Sequence, residues 1–176
     1  MGSISKKLLN NVGGSALLKL QRSLARKPIS KVESIGVRLG RVFFKTGTKR
    51  RNRALTNLAM AFPDRPREDL DALAQKVFEH FGRTSADFLA SKGRTREDIE
   101  STTEIVGREN IDAALAKGKG VLLITGHLGN WERVSAWMSL SGYPLSVIIR
   151  DADQAGVNQV VNELRTGPGT KVIPRG

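Results

Sequence analysis

The sequence contains no cysteine, so neither a disulfide framework nor a thiolate metal site is available to it. Histidine is scarce as well: the chain has two, His80 and His127, and no HExxH motif. Aromatic residues make up 5% of the chain, and no uninterrupted apolar run approaches the ~20 residues of a membrane-spanning helix. These absences argue against zinc hydrolases and disulfide-stapled secreted domains. Neither a metal ion nor a bound cofactor is implied.

Acidic residues are almost absent from the first third of the chain. Residues 1–53 contain 14 Lys and Arg but a single acid, Glu33, while the remaining 123 residues hold 15 basic and 16 acidic residues. The formal net charge of +12 therefore originates entirely in residues 1–53. We expect an anionic partner for this segment: a phospholipid surface, a nucleic acid or an acidic protein.

Residues 1–53 are also amphipathic, because apolar residues recur at helical spacing and the cations fall largely on another face. The apolar positions are Leu8, Leu9, Val12, Ala16, Leu20 and Leu24 in a looser first stripe, and Val32, Ile35, Leu39, Val42 and Phe43 in a second. Such helices bury their apolar face among lipid headgroups, so we interpret residues 1–53 as membrane-associating. A basic helix packed on the rest of the protein is the alternative. The scarcity of aromatic residues and the lack of a binding motif argue against nucleic acid.

Helical periodicity continues to about residue 101 and then gives way to alternation. Residues 49–62 and 66–88 are predicted helices, and Thr95 with Asp98 forms a capping-box pattern for a further short one. Beyond these, strands are predicted at 103–106, 121–125, 145–149 and 171–173, and helices at 110–117, 131–141 and 157–165. This alternation indicates an α/β fold with a largely parallel sheet. We therefore expect basic amino-terminal helices (1–53) followed by an α/β domain (54–176).

The most informative stretch is GVLLITGHLGNWE, residues 120–132. The run VLLIT is apolar or β-branched throughout, which is typical of a central parallel strand buried on both faces. Gly126 would let the chain leave this strand and bring His127 to the carboxyl end of the sheet, where open α/β folds bind ligands. Asn130 is a predicted helix N-cap, which places Glu132 in the first helical turn.

The spacing of His127 and Glu132 allows a loop to bring them together as an acid–base pair. An unperturbed imidazole has a pKa near ~6.5, so it can take a proton from a hydroxyl while a carboxylate fixes its tautomer. That chemistry suits the attack of an alcohol on an acyl carbonyl. A structural histidine in a strand-to-helix turn fits the same spacing, and the spacing alone does not decide between the two. His80 lies inside a helical pattern and is interpreted as a packing or surface residue.

Three segments together carry a family resemblance: RRNRALTNLAMAFPD, GRENIDAALAKGKG and GKGVLLITGHLGNWE. In this order they resemble the bacterial lipid A biosynthesis acyltransferases of the lauroyl and myristoyl type, from about Ile29 to the end of the chain. The resemblance implies a partial lysophospholipid acyltransferase-like fold. It also implies transfer of a fatty acyl chain from acyl carrier protein thioester to a hydroxyl of a lipid A precursor or related glycolipid. The expected location is the cytoplasmic face of the bacterial inner membrane.

The resemblance also assigns roles to single residues. His127 matches the family's catalytic base and Glu132 the carboxylate that orients it, in an HX4E motif. Arg150 follows the 145–149 strand where the family has an arginine, which implies binding of an anionic substrate group or polarisation of a carbonyl. A surface arginine closing the strand is the alternative. Three further residues are expected to contribute to substrate binding. Gly129 and Asn130 would shape the loop that follows His127, and Trp131 would pack against this loop or line the acyl site.

Family members continue past VIPRG, residues 172–176, with more sheet and a further acidic motif. We therefore expect the carboxy-terminal part of the fold to be missing from this sequence. If that part is needed for catalysis, the alternative to an enzyme is a non-catalytic, truncated membrane-binding remnant of the family.

Overall fold

The computed structural model describes residues 2–150 and 155–175, with side chains described from residue 14 onward. The chain is mostly helical and divides into two compact units, residues 1–92 and 93–176. The described elements are α1 (Gly2–Ala25), α2 (Ile29–Thr46), α3 (Thr48–Ala61), α4 (Arg67–Leu89), α5 (Arg96–Glu100), α6 (Arg108–Leu115), α7 (Trp131–Leu140), β1 (Ser146–Ile149), α8 (Ala155–Thr166) and β2 (Lys171–Pro174). None of these helices, over the residues described, has both the length and the apolar character that crossing a bilayer requires.

The first unit is organised by a close crossing of α2 and α4. The two helices run antiparallel, since Gly36 lies against Gly82 whereas Gly40, one turn further along α2, lies against Phe78. A Cβ atom on Gly36 would stand 2.5 Å from the carbonyl oxygen of Gly82, and one on Gly40 would clash with that of Phe78. Glycine at these positions therefore allows the two backbones to touch.

Two small clusters of apolar side chains complete this unit. The first comprises Leu24, Val32, Ala86 and Ala90, and the second Leu55, Leu70 and Ala74. Within the predicted first stripe, Leu24 is buried in the first cluster and Leu20 is exposed. Leu8, Leu9 and Val12 lie outside the described side chains. The predicted domain boundary after residue 53 falls inside α3, and α3 packs with α4 in the same unit.

The second unit holds a two-stranded sheet and its helices. β1 and β2 pair in parallel, with Ser146 opposite Lys171 and Ile149 opposite Pro174, and α8 connects them. Ile99, Trp137 and Met138 form the buried apolar cluster of this unit. The predicted α/β character is therefore confirmed in a reduced form, with one parallel strand pair in the described part of the chain.

Two of the four predicted strands are wrong. Residues 103–106 and 121–125 have no regular secondary structure. Leu122 and Ile124 are 86% and 91% exposed, whereas the prediction placed them in a strand buried on both faces. A strand needs neighbours to pair with its backbone N–H and C=O groups, and among the described residues no strand pairs with 121–125. The apolar pattern identifies side chains that favour burial, but it does not supply the pairing partner.

Candidate active site

The site is organised by the start of α7. The Asn130 side chain accepts a hydrogen bond from the backbone N–H of Arg133 at 3.2 Å, so the predicted N-cap is confirmed. This cap places Trp131 and Glu132 in the first turn of the helix. Gly129, just before the cap, has a φ of +59°, a left-handed conformation that residues with a Cβ adopt at a cost. The loop leading into α7 therefore depends on glycine and asparagine at these two positions.

His127 is exposed and packs against Trp131. The two ring centroids are 4.7 Å apart and the ring planes make an angle of 73°, which is an edge-to-face arrangement. Because residues 121–125 form no strand, His127 is not presented at the carboxyl end of the sheet as the sequence predicted. Its position in the site comes from the contact with the Trp131 ring.

Glu132 is held by an arginine from α8. Nε of Arg165 donates to both carboxylate oxygens at 3.1 Å, and Nη2 donates to Oε1 at 2.5 Å. The side chains of Glu132 and Arg165 are 10% and 20% exposed, so this is a largely buried, bidentate ion pair. Trp131 Nε1 donates a further hydrogen bond to Glu132 Oε1 at 3.2 Å. The carboxylate is thus fixed by three donors on two side chains.

The predicted hydrogen bond between His127 and Glu132 is not formed within the described part of the chain. Instead, the ring of Trp131 joins the two residues: His127 packs on it, and its N–H bonds to Glu132. His127, Trp131, Glu132 and Arg165 therefore form a continuous chain of contacts. The structure brings together both halves of the HX4E motif, with an aromatic ring between them. The catalytic roles assigned to His127 and Glu132 stay predictions.

Arg165 was missed by the sequence reasoning. It lies in the last turn of α8, where a basic residue is commonly explained by its interaction with the carboxyl end of the helix. No sequence spacing connects it to Glu132, which is 33 residues away along the chain. A largely buried carboxylate at the start of α7 needs a cationic partner, and this need was the available signal.

Arg150 lies elsewhere in the same unit. It is exposed and directly follows β1, at the end of the strand where the backbone N–H of Arg175 donates to the carbonyl of Ile149 at 2.7 Å. Arg150 thus stands at the carboxyl edge of the parallel pair, as the sequence predicted for it. The assignment of Arg150 to a substrate group stays a prediction.

The geometry provides an accessible imidazole that packs on Trp131, whose indole N–H bonds to an anchored carboxylate. An exposed imidazole can exchange protons with a hydroxyl that approaches from solution, whereas the Glu132 charge is compensated by the guanidinium. Among the residues described, no group of three or more potential His, Cys, Asp or Glu ligands gathers to hold a metal ion. The arrangement is suited to acid–base chemistry on an external substrate.

Comparison with protein families is decisive for the identity of the chain. Residues 3–176 match the family model of the bacterial lipid A biosynthesis acyltransferases. The chain belongs to this family. Membership covers the helical first unit and the second unit alike, and it implies an acyl donor and a lipid acceptor. Searches of curated proteins and of solved structures gave no match.

Proposed function

We propose that this lipid A biosynthesis acyltransferase family member transfers a fatty acyl chain from acyl carrier protein thioester to a hydroxyl of a lipid A precursor or related glycolipid. His127 removes the hydroxyl proton, the oxygen attacks the thioester carbonyl, and the carbon–sulfur bond breaks. The imidazolium then returns its proton to the leaving thiolate. The observation that supports this proposal is the exposed His127 packed on Trp131, whose N–H bonds to the fixed Glu132, in a chain matched to the family over nearly its whole length.

Glu132 is a fixed carboxylate beyond the Trp131 ring, paired with Arg165. In the proposed mechanism it orients the His127 imidazole through the Trp131 ring, which both side chains contact. Arg165 prevents the carboxylate from moving into solvent, since it bonds to both oxygens. Arg150 is assigned to an anionic group of the donor or acceptor.

The proposed location is the cytoplasmic face of the bacterial inner membrane, with peripheral or monotopic association. The support is the net charge of +13 on residues 1–53, which attracts anionic lipid. The same charge would also attract an acidic acyl carrier protein, and it raises the rate of encounter with either partner at low salt.

The test is acyl transfer from acyl carrier protein thioester to a lipid A precursor, measured for the full chain. His127→Ala should reduce the rate about 100-fold or more, the usual contribution of a general base. His80→Ala is the matched control, because His80 is the chain's other histidine and is exposed on α4; it should leave the rate unchanged. Activity that survives His127→Ala would refute the mechanism. Lipid binding by the wild-type chain without turnover would favour the non-catalytic alternative.

A further inference from the structure

Helix α2 has more apolar surface than α4 covers. Its glycine face, Gly36 and Gly40, is in contact with the backbone of α4. Leu39, Val42 and Phe43 nevertheless remain 41%, 55% and 56% exposed. They are spaced by three and four residues, so they lie on one side of the helix. We refer to these three residues as the α2 stripe.

A row of cations runs beside the α2 stripe. Lys31, Arg38 and Lys45 are seven residues apart, close to two helical turns, so they line up along the axis. All three are exposed, and in the part of the chain that the structure describes none of them forms an ion pair. Arg41 behaves differently, since its Nε donates to Glu79 at 2.8 Å. We refer to Lys31, Arg38 and Lys45 as the α2 cation row.

An exposed apolar stripe next to an uncompensated cation row matches one kind of partner. A bilayer surface with anionic headgroups accepts apolar side chains below the headgroups and pairs phosphates with cations at the same depth as the helix. Nucleic acid would use the cations but not the stripe. The cations also outnumber the acids of α2, whose single carboxylate is Glu33, so the helix as a whole is attracted to negative charge.

We propose that the α2 stripe and the α2 cation row form the membrane-binding face of this protein, with α2 lying parallel to an anionic bilayer surface. This inference gives the proposed membrane association a defined surface and rests on that part of the proposed function. It differs from attraction by the basic segment as a whole, because α3, as described, exposes one large apolar side chain, Met60, where α2 exposes three. Lys49, Arg50 and Arg53 are the exposed cations of α3.

The experiment measures binding of the full chain to phosphatidylcholine vesicles with and without phosphatidylglycerol. The triple variant Lys31→Gln, Arg38→Gln, Lys45→Gln should bind phosphatidylglycerol vesicles about 100-fold more weakly, since each cation near an anionic surface contributes about 1 kcal/mol. The matched control is Lys49→Gln, Arg50→Gln, Arg53→Gln, which removes the same charge from α3. It should lose less than about 10-fold if α2 is the bound face, because these cations belong to another helix and a charge outside the contact is screened by salt.

The double variant Val42→Ser, Phe43→Ser tests the apolar component. It should weaken binding about 10-fold or more through loss of buried apolar area, while the charge stays unchanged. Far-ultraviolet circular dichroism checks that each variant keeps its helix content. All substituted side chains are exposed, so the fold is expected to persist.

Several outcomes would overturn the inference. If the α3 control loses as much affinity as the α2 triple variant, binding depends on total charge and not on this face. If the double variant binds vesicles normally but changes the sedimentation of the protein, a second copy covers the α2 stripe. Absence of wild-type binding to any vesicle would refute both this inference and the proposed membrane association. Loss of acyl transfer with α2-specific binding intact would refute only the proposed catalysis.

Discussion

Replacing Arg165 should show how much its ion pair with Glu132 stabilises the second unit. Arg165→Gln leaves Glu132 with the single hydrogen bond from Trp131 Nε1, at 3.2 Å. The carboxylate is 10% exposed and cannot recover full hydration without a local rearrangement. Breaking a fully buried pair costs about 3–5 kcal/mol and an exposed pair contributes about 0–1 kcal/mol. We therefore expect Arg165→Gln to destabilise the second unit by about 2 kcal/mol.

The assay is urea unfolding followed by tryptophan fluorescence. Both tryptophans, Trp131 and Trp137, lie in the second unit, so the signal reports on that unit. A double-mutant cycle with Arg165→Gln and Glu132→Gln isolates the coupling between the two side chains, which should be about 1.5–2 kcal/mol. Arg165→Lys should recover only part of it, because an ammonium cannot bond to both oxygens in the fork geometry of a guanidinium.

A control double-mutant cycle uses a second pair of side chains, both on α8. Gln159 Nε2 donates to Glu163 Oε1 at 3.0 Å on the exposed side of α8, one turn apart. This pair should couple by about 0.2–0.5 kcal/mol, as neighbours on a solvated helix do. If the coupling between Glu132 and Arg165 is no larger than that of this control, the carboxylate is not anchored and the description of the site is wrong.

Three further predictions concern the rest of the fold. Gly40→Ala should destabilise the first unit by about 1–3 kcal/mol because its Cβ meets the α4 backbone, and an unchanged thermal midpoint by circular dichroism would contradict the close crossing. Hydrogen bonds from Arg41 and Gln75 hold the pKa of Glu79 below its ordinary value of 4.5. The charged Glu79 therefore stabilises the fold above pH ~4.5, and this stabilisation is lost as the pH falls through the lowered pKa. Glu79→Gln should flatten the acid side of the profile of stability against pH, and an unaltered profile would rule the contribution out. Thr95→Ala should cost about 1 kcal/mol in urea unfolding through loss of the bond to the Asp98 N–H, whereas an unchanged midpoint would mean that the cap does not stabilise α5.

The helices follow from local sequence because their hydrogen bonds and caps are local. The periodicity between Lys31 and Lys45 predicts α2, and the pattern at Thr95 and Asp98 predicts a capping box that the structure confirms in both directions. Asn130 likewise caps α7. In each case the interacting groups lie within four residues of one another, so their spacing in the chain nearly determines their geometry.

Whether a predicted strand forms depends on whether another segment pairs with it. Ser146–Ile149 and Lys171–Pro174 form because each pairs with the other across α8. Residues 121–125 have an equally apolar sequence, yet they form no strand because the described residues include none that pairs with them. A side-chain pattern encodes a preference for burial, whereas the ladder of a sheet is a property of two segments.

The helical segments, the N-cap of α7, the basic amino-terminal segment and the HX4E spacing of His127 and Glu132 are all visible in the order of the residues. Packing in the tertiary structure places Trp131 between His127 and Glu132, brings Arg165 to the carboxylate, and sets the glycine face of α2 against α4 with another apolar side exposed. The two groups of features differ in the range of their interactions along the chain. Helix bonds and caps connect neighbours in the chain, but the ion pair and the helix crossing join residues more than 30 positions apart, and nothing in the local pattern specifies which distant residue arrives.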